Sequence, residues 1–384
     1  GVPFDSADAD IDPVPAVCVD VASDLEFTHT HDPTALITDT QRTLHNPLKG
    51  FMTSYLWGAP VTDFPDQMEF LYLPMNLLWD ESGETLDTGL EPLIAAAAER
   101  GHHAVLRVYV DYPRKDPGMP DYLSDVVGCS VYTDHGGGCS PDYDDPDLLN
   151  AMVGLIEAMG ERYDGDPRVG FVQVGFVGFW GEWHTFPHTT WFPSNEFQRE
   201  VIAAFDDAFN QTQILIRYPI QDAPQRRIGF HDDSFAYATV GDVNWFFFPK
   251  LLAAGAENRW KIVPIGGEVY PQLQSDLFLP NYVIDTYSQN FSQCVHDTHA
   301  SWQIANQVFT SYEGEQLDGA RSASLSMGYE FSVPRVALTA SNLDQSSVDL
   351  RIDVEISNTG VAPFYYPLNL NLSDGVDDSR VLAD

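Results

Sequence analysis

The sequence predicts an α/β fold, a (β/α)8 TIM barrel over residues 46–325 followed by a small antiparallel β-sandwich over residues 326–384. From Asn46 onward, segments rich in β-branched and aromatic residues alternate with segments of helical periodicity, as in repeated βα units around a parallel sheet. After Tyr329 the apolar pattern alternates with a period of two residues, which is typical of antiparallel strands. Residues 1–45 are polar and rich in aspartate, and we expect an extended lead-in there.

The individual elements follow from runs of apolar residues and from the residues that end them. Barrel strands are predicted over residues 50–57, 69–79, 104–110, 169–179, 213–218, 227–230 and 261–265, with an eighth between residues 300 and 323. Helices are predicted over residues 90–100, 145–162 and 195–209, since Gly101 can end the first and Pro146 can open the second. Tail strands are predicted over residues 331–338, 348–356 and 365–372, too few to close a sandwich by themselves.

The charge balance is strongly acidic and narrows the classes of partner. Asp and Glu number 57 against 19 Lys and Arg, a net charge of −38, and only four of the basic residues are lysines. An acidic surface without a basic stripe argues against nucleic acid as a binding partner. It favours a protein adapted to high salt, where self-repulsion is screened. No apolar run reaches the length of a membrane span. Oligomeric state stays open.

The four cysteines suggest an oxidising compartment. Cys129 and Cys139 bracket a Gly- and Ser-rich loop that a disulfide could close, which would leave Cys18 to pair with Cys294. Metal binding is the alternative, but no Cys-x-x-Cys pair is present. We therefore expect a secreted protein, extracellular or periplasmic. We expect no catalytic metal; a structural Ca²⁺ is the one cofactor that the Asp-rich composition leaves open.

The most informative segment is GFVGFWGEWH at residues 175–184, where an apolar strand ends on Gly181 and presents Glu182 between Trp180 and Trp183. Burial among aromatic rings raises a carboxyl pKa, which suits a general acid. Tryptophan faces also stack on sugar rings. The alternative is a salt-bridged glutamate with tryptophans that pack in the core.

Chemically active side chains recur where predicted strands end. In a barrel these ends converge on one face, where the chemistry takes place. The candidate substrate-binding residues are Trp79, Asp80, Arg107, Tyr109, Asp111, Trp180, Trp183, His184, Arg217, Tyr218, His231, Asp232 and Tyr270. Each alone could be a solvated side chain or half of an ion pair. Arg107 and Arg217 could instead keep a catalytic carboxylate ionised or bind an acidic sugar. Their recurrence on successive strands favours a site.

Two carboxylates stand out, because glycosidic hydrolysis requires a pair. Glu182 ends the fourth predicted strand, and Glu268, in GGEVY at residues 266–270, ends the seventh. In this arrangement the chain resembles the clan-A glycoside hydrolases, (β/α)8 barrels with an acid/base Glu after strand four and a nucleophile Glu after strand seven. The resemblance implies Glu182 as acid/base and Glu268 as nucleophile of a retaining hydrolase acting on an oligo- or polysaccharide. Many members carry Asn before the acid/base Glu, where this chain has Gly181.

A second resemblance covers most of the chain. NPLKG at residues 46–50, WGEWH at residues 180–184 and GVAPFY at residues 360–365 are similar to a group of bacterial barrel-plus-sandwich domains. It implies architecture more than activity. Two alternatives to a glycosidase therefore stay open: a carbohydrate-binding barrel without catalysis, and a metal-assisted hydrolase that uses His231 and Asp232.

Overall fold

The computed structural model of this chain describes residues 25–30, 44–341, 349–373 and 379–383. The strands, in chain order, are β1 (Leu25–Thr30), β2 (Gly50–Met52), β3 (Met68–Pro74), β4 (Trp79–Asp80), β5 (Gly83–Glu84), β6 (His103–Asp111), β7 (Cys129–Tyr132), β8 (Gly138–Pro141), β9 (Val169–Gln173), β10 (Phe176–Phe179), β11 (Gln213–Ile216), β12 (Ile228–Phe235), β13 (Ile265–Val269), β14 (Trp302–Ile304), β15 (Phe331–Ser341), β16 (Asp349–Asn358), β17 (Leu370–Ser373) and β18 (Ser379–Ala383). The α-helices are α1 (Leu86–Gly89), α2 (Glu91–Glu99), α3 (Asp121–Ser124), α4 (Pro146–Tyr163), α5 (Asn195–Ala208), α6 (Phe247–Ala253), α7 (Phe291–Thr298), α8 (Asn306–Thr310) and α9 (Gly314–Ser326). Across these described ranges, no helix has the length and apolar character needed to cross a bilayer.

Eight parallel strands form a closed ring in the order β2, β3, β6, β9, β11, β12, β13 and β14. Strand β14 pairs with β2, with Gln303 opposite Phe51. The ring closes between β2 and β3 through a parallel bridge from Thr53 to Glu69, and the Phe70 amide donates to the Thr53 carbonyl at 2.9 Å. The large parallel sheet that the sequence predicts is therefore present as a closed ring of eight strands.

Alternating side chains of these strands fill the ring. One buried cluster joins Met52, Phe70, Val105, Phe171 and Trp302, each from a different barrel strand. The intervening residues face the helices and belong to a second, larger cluster. Because neighbouring residues of a strand point to opposite faces, the two clusters are the inside and the outside of the same sheet.

The helices begin where the sequence supplies caps. The Asp145 carboxylate accepts from the Asp147 amide at the start of α4, and the Ser194 hydroxyl accepts from the Phe197 amide at the start of α5. Both acceptors satisfy backbone donors that the helix itself leaves unpaired. Both helices then bury one apolar face on the barrel.

Several predicted strands differ from the observed ones in length. The second ends at Pro74, which can accept but not donate in a ladder, and a 3-10 turn over Met75–Leu77 then leads to the hairpin β4–β5. The sixth runs on to Phe235, so that His231 and Asp232 lie inside the strand rather than after it. The predicted fourth strand is divided into β9 and β10, because Phe176 has a left-handed φ of 64°.

The described residues group into two compact units. One contains a three-stranded sheet in the order β1, β15, β16, in which β1 pairs antiparallel with β15 and Leu25 lies opposite Ala340. The other contains the barrel and residues 358–384, including the antiparallel pair β17–β18. A complete β-sandwich is not seen in the described residues, and the domain boundaries at residues 45 and 325 stay predictions.

The disulfide expected between Cys129 and Cys139 is present and joins β7 to β8. Cys294 is fully buried and forms no disulfide with any described residue. Its predicted partner Cys18 lies outside the described residues, so that pairing stays a prediction.

Gly266 packs closely against Trp302, and this contact gives a stability prediction. A Cβ atom on Gly266 would lie 2.2 Å from the Trp302 ring, so Gly266→Ala should overpack the barrel core and destabilise the fold by about 1–3 kcal/mol. Urea denaturation measures this. Gly128→Ala is the matched control, since a Cβ atom at Gly128 has no neighbour within 4 Å. Equal midpoints for the two variants would contradict the packing described here.

Candidate active site

The turn after β10 holds Glu182 in place. Phe176, Gly178, Trp180, Gly181 and Trp183 all have left-handed φ angles, between 57° and 79°. Hydrogen bonds fix this winding: the Phe179 amide donates to the His184 carbonyl at 2.8 Å, and the Glu182 amide donates to the Phe179 carbonyl at 2.9 Å. The carboxylate is thus presented by a tight, irregular turn rather than by the end of a regular strand.

Gly181 is required by this geometry. A Cβ atom there would lie 3.2 Å from both the Phe176 nitrogen and the Val108 oxygen, and the φ angle is 65°. A side chain would therefore push the turn away from β6. The absence of Asn before Glu182 follows from how closely this turn approaches the neighbouring strand.

Arg107 occupies the centre of the barrel mouth. Its guanidinium is fully buried, donates from Nε to Gln173 Oε1 at 2.6 Å and donates from Nη2 to Asp233 Oδ2 at 2.7 Å. Its Nη1 atom has no hydrogen-bond partner among the described residues and lies 3.7 Å from Glu182 Oε1. Arg107 therefore connects strands β6, β9 and β12 and turns its remaining nitrogen toward Glu182.

A second buried arginine completes a network of charges. Arg217 Nη1 donates to Asp232 Oδ1 at 3.1 Å, and His231 Nδ1 lies 3.0 Å from Asp233 Oδ1. Burial alone would raise the pKa of Asp233, but the positive charges of Arg107, His231 and Arg217 outweigh it and hold that pKa well below its usual range. Burial lowers the pKa of His231, against the attraction of Asp233. Asp233 is therefore the permanent anion of this cluster.

Glu268 lies at the end of β13 beside this network, with its side chain partly open to solvent. Its pKa is raised to about 8, first by burial and then by the negative charges of Asp233 and Glu182, while Arg107 and Arg217 oppose the shift. The charge of Glu182 thus acts directly on Glu268. The two carboxylates that the sequence singled out lie in one electrostatic site.

Tyrosines surround the carboxylates, and sequence reasoning missed two of them. Burial, and then the charges of Glu268 and Glu182, raises the pKa of Tyr112. The Tyr72 hydroxyl donates to the Trp180 carbonyl, and burial raises its pKa well above the usual value. Tyr218, which the sequence predicted, lies with its ring centroid 5.1 Å from the Arg217 guanidinium.

Gln173 and Asp233 also belong to the site but were absent from the predicted set. The alternation of side chains between the two faces of a strand could have predicted both. Gln173 lies two residues after the interior Phe171, and Asp233 lies two residues after His231 on the same face of β12.

Two other predicted residues, Trp183 and Asp111, are buried in contacts that support the fold. Trp183 is 2% exposed and donates from Nε1 to the Val174 carbonyl at 2.7 Å, so it packs inside the turn and presents no free face to a sugar. Asp111 is buried and accepts from the Tyr132 hydroxyl at 2.5 Å. Burial raises its pKa to about 6, although the Tyr132 hydrogen bond opposes the shift. Asp111 thereby ties β6 to the disulfide-linked hairpin β7–β8.

The second predicted strand end is displaced from the carboxylates. Trp79 donates to the Tyr122 hydroxyl at 3.0 Å and packs on α4 at Gly154. Asp80 is exposed and accepts from the Ser82 hydroxyl and the Ser82 amide, and these bonds lower its pKa. Both line a separate surface depression. The 3-10 turn after Pro74 carries them away from the ring.

The remaining aromatic predictions lie near the mouth. Trp180 and His184 have ring centroids 5.8 Å apart, and His184 Nε2 lies 3.7 Å from Glu182 Oε2. Tyr109 packs edge-on against both Tyr72 and Tyr112. Tyr270 is stacked on Tyr237 at 4.1 Å.

A cleft of about 1050 Å³ opens beside the carboxylates. It shares His184 and Tyr218 with the site and is otherwise lined mainly by apolar side chains, among them Phe186, Phe192, Ile220 and Trp245. Clefts of this size and lining are typical of ligand sites.

The geometry offers little to a metal ion. Within the described parts of the chain, no group of three or more His, Cys, Asp or Glu side chains is arranged as a metal site. His231 is fully buried beside Asp233, and Asp232 is held by Arg217, Ser234 and Thr239.

Comparisons with known proteins give structural likenesses only. No protein-family model matches the chain, and no curated protein matches it. Among solved structures, endo-glycoceramidase II from Rhodococcus sp. is similar over 79% of this chain and 86% of its own, at 10% identity and a TM-score of 0.46. A GH5 xyloglucan-specific endo-β-1,4-glucanase from a metagenomic library is similar over 77% and 99%, at 11% identity and a TM-score of 0.39.

The raised pKa of Glu268 predicts how this residue affects stability. A carboxyl whose pKa rises from 4.5 to about 8 on folding binds its proton more tightly in the folded state. It therefore costs stability above its unfolded pKa, and the cost is complete once the pH exceeds about 8. Glu268→Gln should raise the melting temperature by several degrees at pH 9 and change it little at pH 4.

Calorimetric scans of wild type and variant test this, with the exposed Glu315→Gln on α9 as control. A Glu268→Gln effect that is the same at both pH values would show that Glu268 titrates as an ordinary surface carboxylate.

Proposed function

We propose that the barrel is a glycoside hydrolase that cleaves an oligo- or polysaccharide by a retaining mechanism, with Glu182 as acid/base and Glu268 as nucleophile. The observation that carries the proposal is the electrostatic coupling of these two carboxylates at the barrel mouth, where the charge of Glu182 helps to raise the pKa of Glu268. A pair of interacting carboxylates is the chemical requirement for glycosidic hydrolysis.

Because the pKa of Glu268 is raised to about 8, in part by the charge of Glu182, the site holds one proton at neutral pH. In the reactive arrangement Glu182 carries that proton and Glu268 is the anion, supported by the charges of Arg107 and Arg217. Ionised Asp233 keeps both arginines in place without taking part in proton transfer.

The proposed reaction then has two steps. Glu182 gives its proton to the glycosidic oxygen while a Glu268 oxygen attacks the anomeric carbon, so that the leaving alcohol departs and a glycosyl ester forms on Glu268. Water next attacks the same carbon and gives a proton to Glu182, which releases the sugar and restores both carboxyl groups. Tyr112, Tyr218, Trp180 and His184 surround the pair and are the proposed contacts to the sugar.

A carbohydrate-binding barrel without catalysis is the second candidate, favoured by Arg107 lying close to Glu182. In that case Glu182 would be locked in an ion pair. However, the short bonds of Arg107 go to Gln173 and Asp233, and the Glu182 oxygen is 3.7 Å from Nη1. That spacing leaves the carboxylate available, so we favour the enzyme.

Location and salt dependence form part of the proposal. The Cys129–Cys139 disulfide supports an oxidising compartment and hence secretion. The net charge of −38 supports adaptation to high salt, in which repulsion between surface carboxylates is screened.

Loss of either carboxyl group should remove hydrolysis. Glu182→Gln should lower kcat/KM by about two to four orders of magnitude, as expected for loss of a general acid, and Glu268→Gln by at least as much. Reducing-sugar release from a polysaccharide panel in high salt measures this, with Glu315→Gln as the control. Hydrolysis that survives both substitutions would rule out the pair, and glycan binding without hydrolysis in wild type would favour the binding barrel.

Activity should also depend on the single shared proton. We expect kcat/KM to fall as the pH rises through about 8, because the pair then loses the proton that the leaving group needs. A pH profile on an activated aryl glycoside, whose leaving group needs little protonation, should show a much weaker alkaline decline. If kcat/KM declined equally for both kinds of substrate, the alkaline fall in activity would belong to a group outside the carboxylate pair.

A further inference from the structure

Lysines are rare in this chain, and one of them lies in the cleft beside the carboxylates. Only Lys49, Lys115, Lys250 and Lys261 occur among 384 residues that include 57 acidic ones. Lys250, on α6, lines the cleft of about 1050 Å³ together with Tyr218 and Trp245. Its ammonium lies 3.6 Å from the centroid of the Tyr218 ring.

Lys250 differs from the lysine that serves the fold. Lys49 is buried and is held by Glu330 at 3.1 Å and by the Tyr329 carbonyl. The Lys250 ammonium has no ion pair or hydrogen bond with any residue in the described part of the chain, and it contacts the Tyr218 ring instead. In a protein with threefold more acids than bases, a half-buried ammonium without a carboxylate is unusual, because partners are abundant.

The charge of Asp232 does not account for the position of Lys250. The charge of Asp232 acts on Lys250, but the Asp232 oxygens already accept from Arg217, Ser234 and Thr239. Burial, and then the charge of Arg217, lowers the pKa of Lys250 to about 8, so its position is unfavourable for the ammonium until an anion arrives. Such a group is poised for an anionic ligand.

The walls of the cleft fit a sugar ring. Trp245 is 48% exposed, and Phe186 and Phe192 add further apolar surface. The cleft reaches the carboxylates through Tyr218 and His184, and His184 lies 3.7 Å from Glu182. A ring bound here would therefore be one residue of a glycan that continues across the site.

We propose that this cleft is a subsite for an anionic sugar residue, whose carboxylate or sulfate binds the Lys250 ammonium while its ring packs on the aromatic walls. The proposal rests on the proposed function in that it names the substrate class for the same site. The anionic group supplies the counter-charge that Lys250 lacks, and the exposed Trp245 side chain supplies the apolar contact.

Binding rather than hydrolysis tests it, so that the two proposals can fail separately. Isothermal titration calorimetry at pH 7 and fixed ionic strength would compare glucuronate, its uncharged isostere glucuronamide, and glucose 6-sulfate with glucose. In wild type we expect each charged sugar to bind about tenfold more tightly than its neutral partner. Lys250→Met should abolish this preference, and Lys250→Arg should retain most of it.

Lys261→Met is the matched control. Lys261 lies on the amino-terminal side of β13, away from the mouth, and its ammonium is 5.5 Å from the Trp260 ring. Equal binding of charged and neutral sugars by wild type, absence of saturable binding by either charged sugar, or a preference that survives Lys250→Met would overturn the subsite. A preference for only one of the two charged sugars would assign the anion as carboxylate or as sulfate.

Charge-selective binding without hydrolysis of any glycan would refute the proposed function and leave the subsite standing. Hydrolysis of neutral glycans that is unaffected by Lys250→Met, with no charge preference in binding, would refute the subsite and leave the proposed function standing.

Discussion

The buried ion pair of Arg107 and Asp233 is the interaction on which the site depends. Its atoms are 2.7 Å apart and fully enclosed, so the cost of removing two charges from water must be met by short bonds on all sides. Gln173 and His231 provide those bonds from two further positions. A pair of this kind fixes the relative positions of three strands, and with them the charges that surround Glu182 and Glu268.

The same interaction explains why the pKa of Glu268 is raised. Arg107 already has a permanent anion in Asp233, so only part of its charge acts on Glu268. Burial and two negative neighbours therefore prevail, and the pKa of Glu268 rises. Replacing Asp233 by a neutral residue would leave Arg107 as a free buried cation, which would bind Glu268 and remove the shared proton. The apparent surplus of acid in the barrel mouth is what keeps a carboxyl group protonated.

Much of this arrangement was predictable from sequence, because strand ends in a parallel ring converge. Glu182, Glu268, Arg107, Arg217 and Tyr218 were singled out in this way, and their roles in the site stay predictions. The errors arose where the backbone departs from regular strands: Pro74 and a 3-10 turn displace Trp79, and left-handed residues around Gly181 bury Trp183. Apolar patterns do not encode such departures. Asp233 was missed because the predicted strand ended too early for its parity to be read.

The turn that carries Glu182 has a backbone conformation that is unfavourable for stability but positions the proposed acid/base. Three residues with side chains have a left-handed backbone there, which is unfavourable. The wound conformation persists because Tyr72, Tyr143 and Asp111 bind it from outside. Tyr143 donates to and accepts from Gly178, while the Trp180 amide donates to the Asp111 carbonyl. Asp111 in turn is held by the hairpin that the disulfide closes. The position of the acid/base candidate is thus supported by a loop with no proposed contact to the sugar.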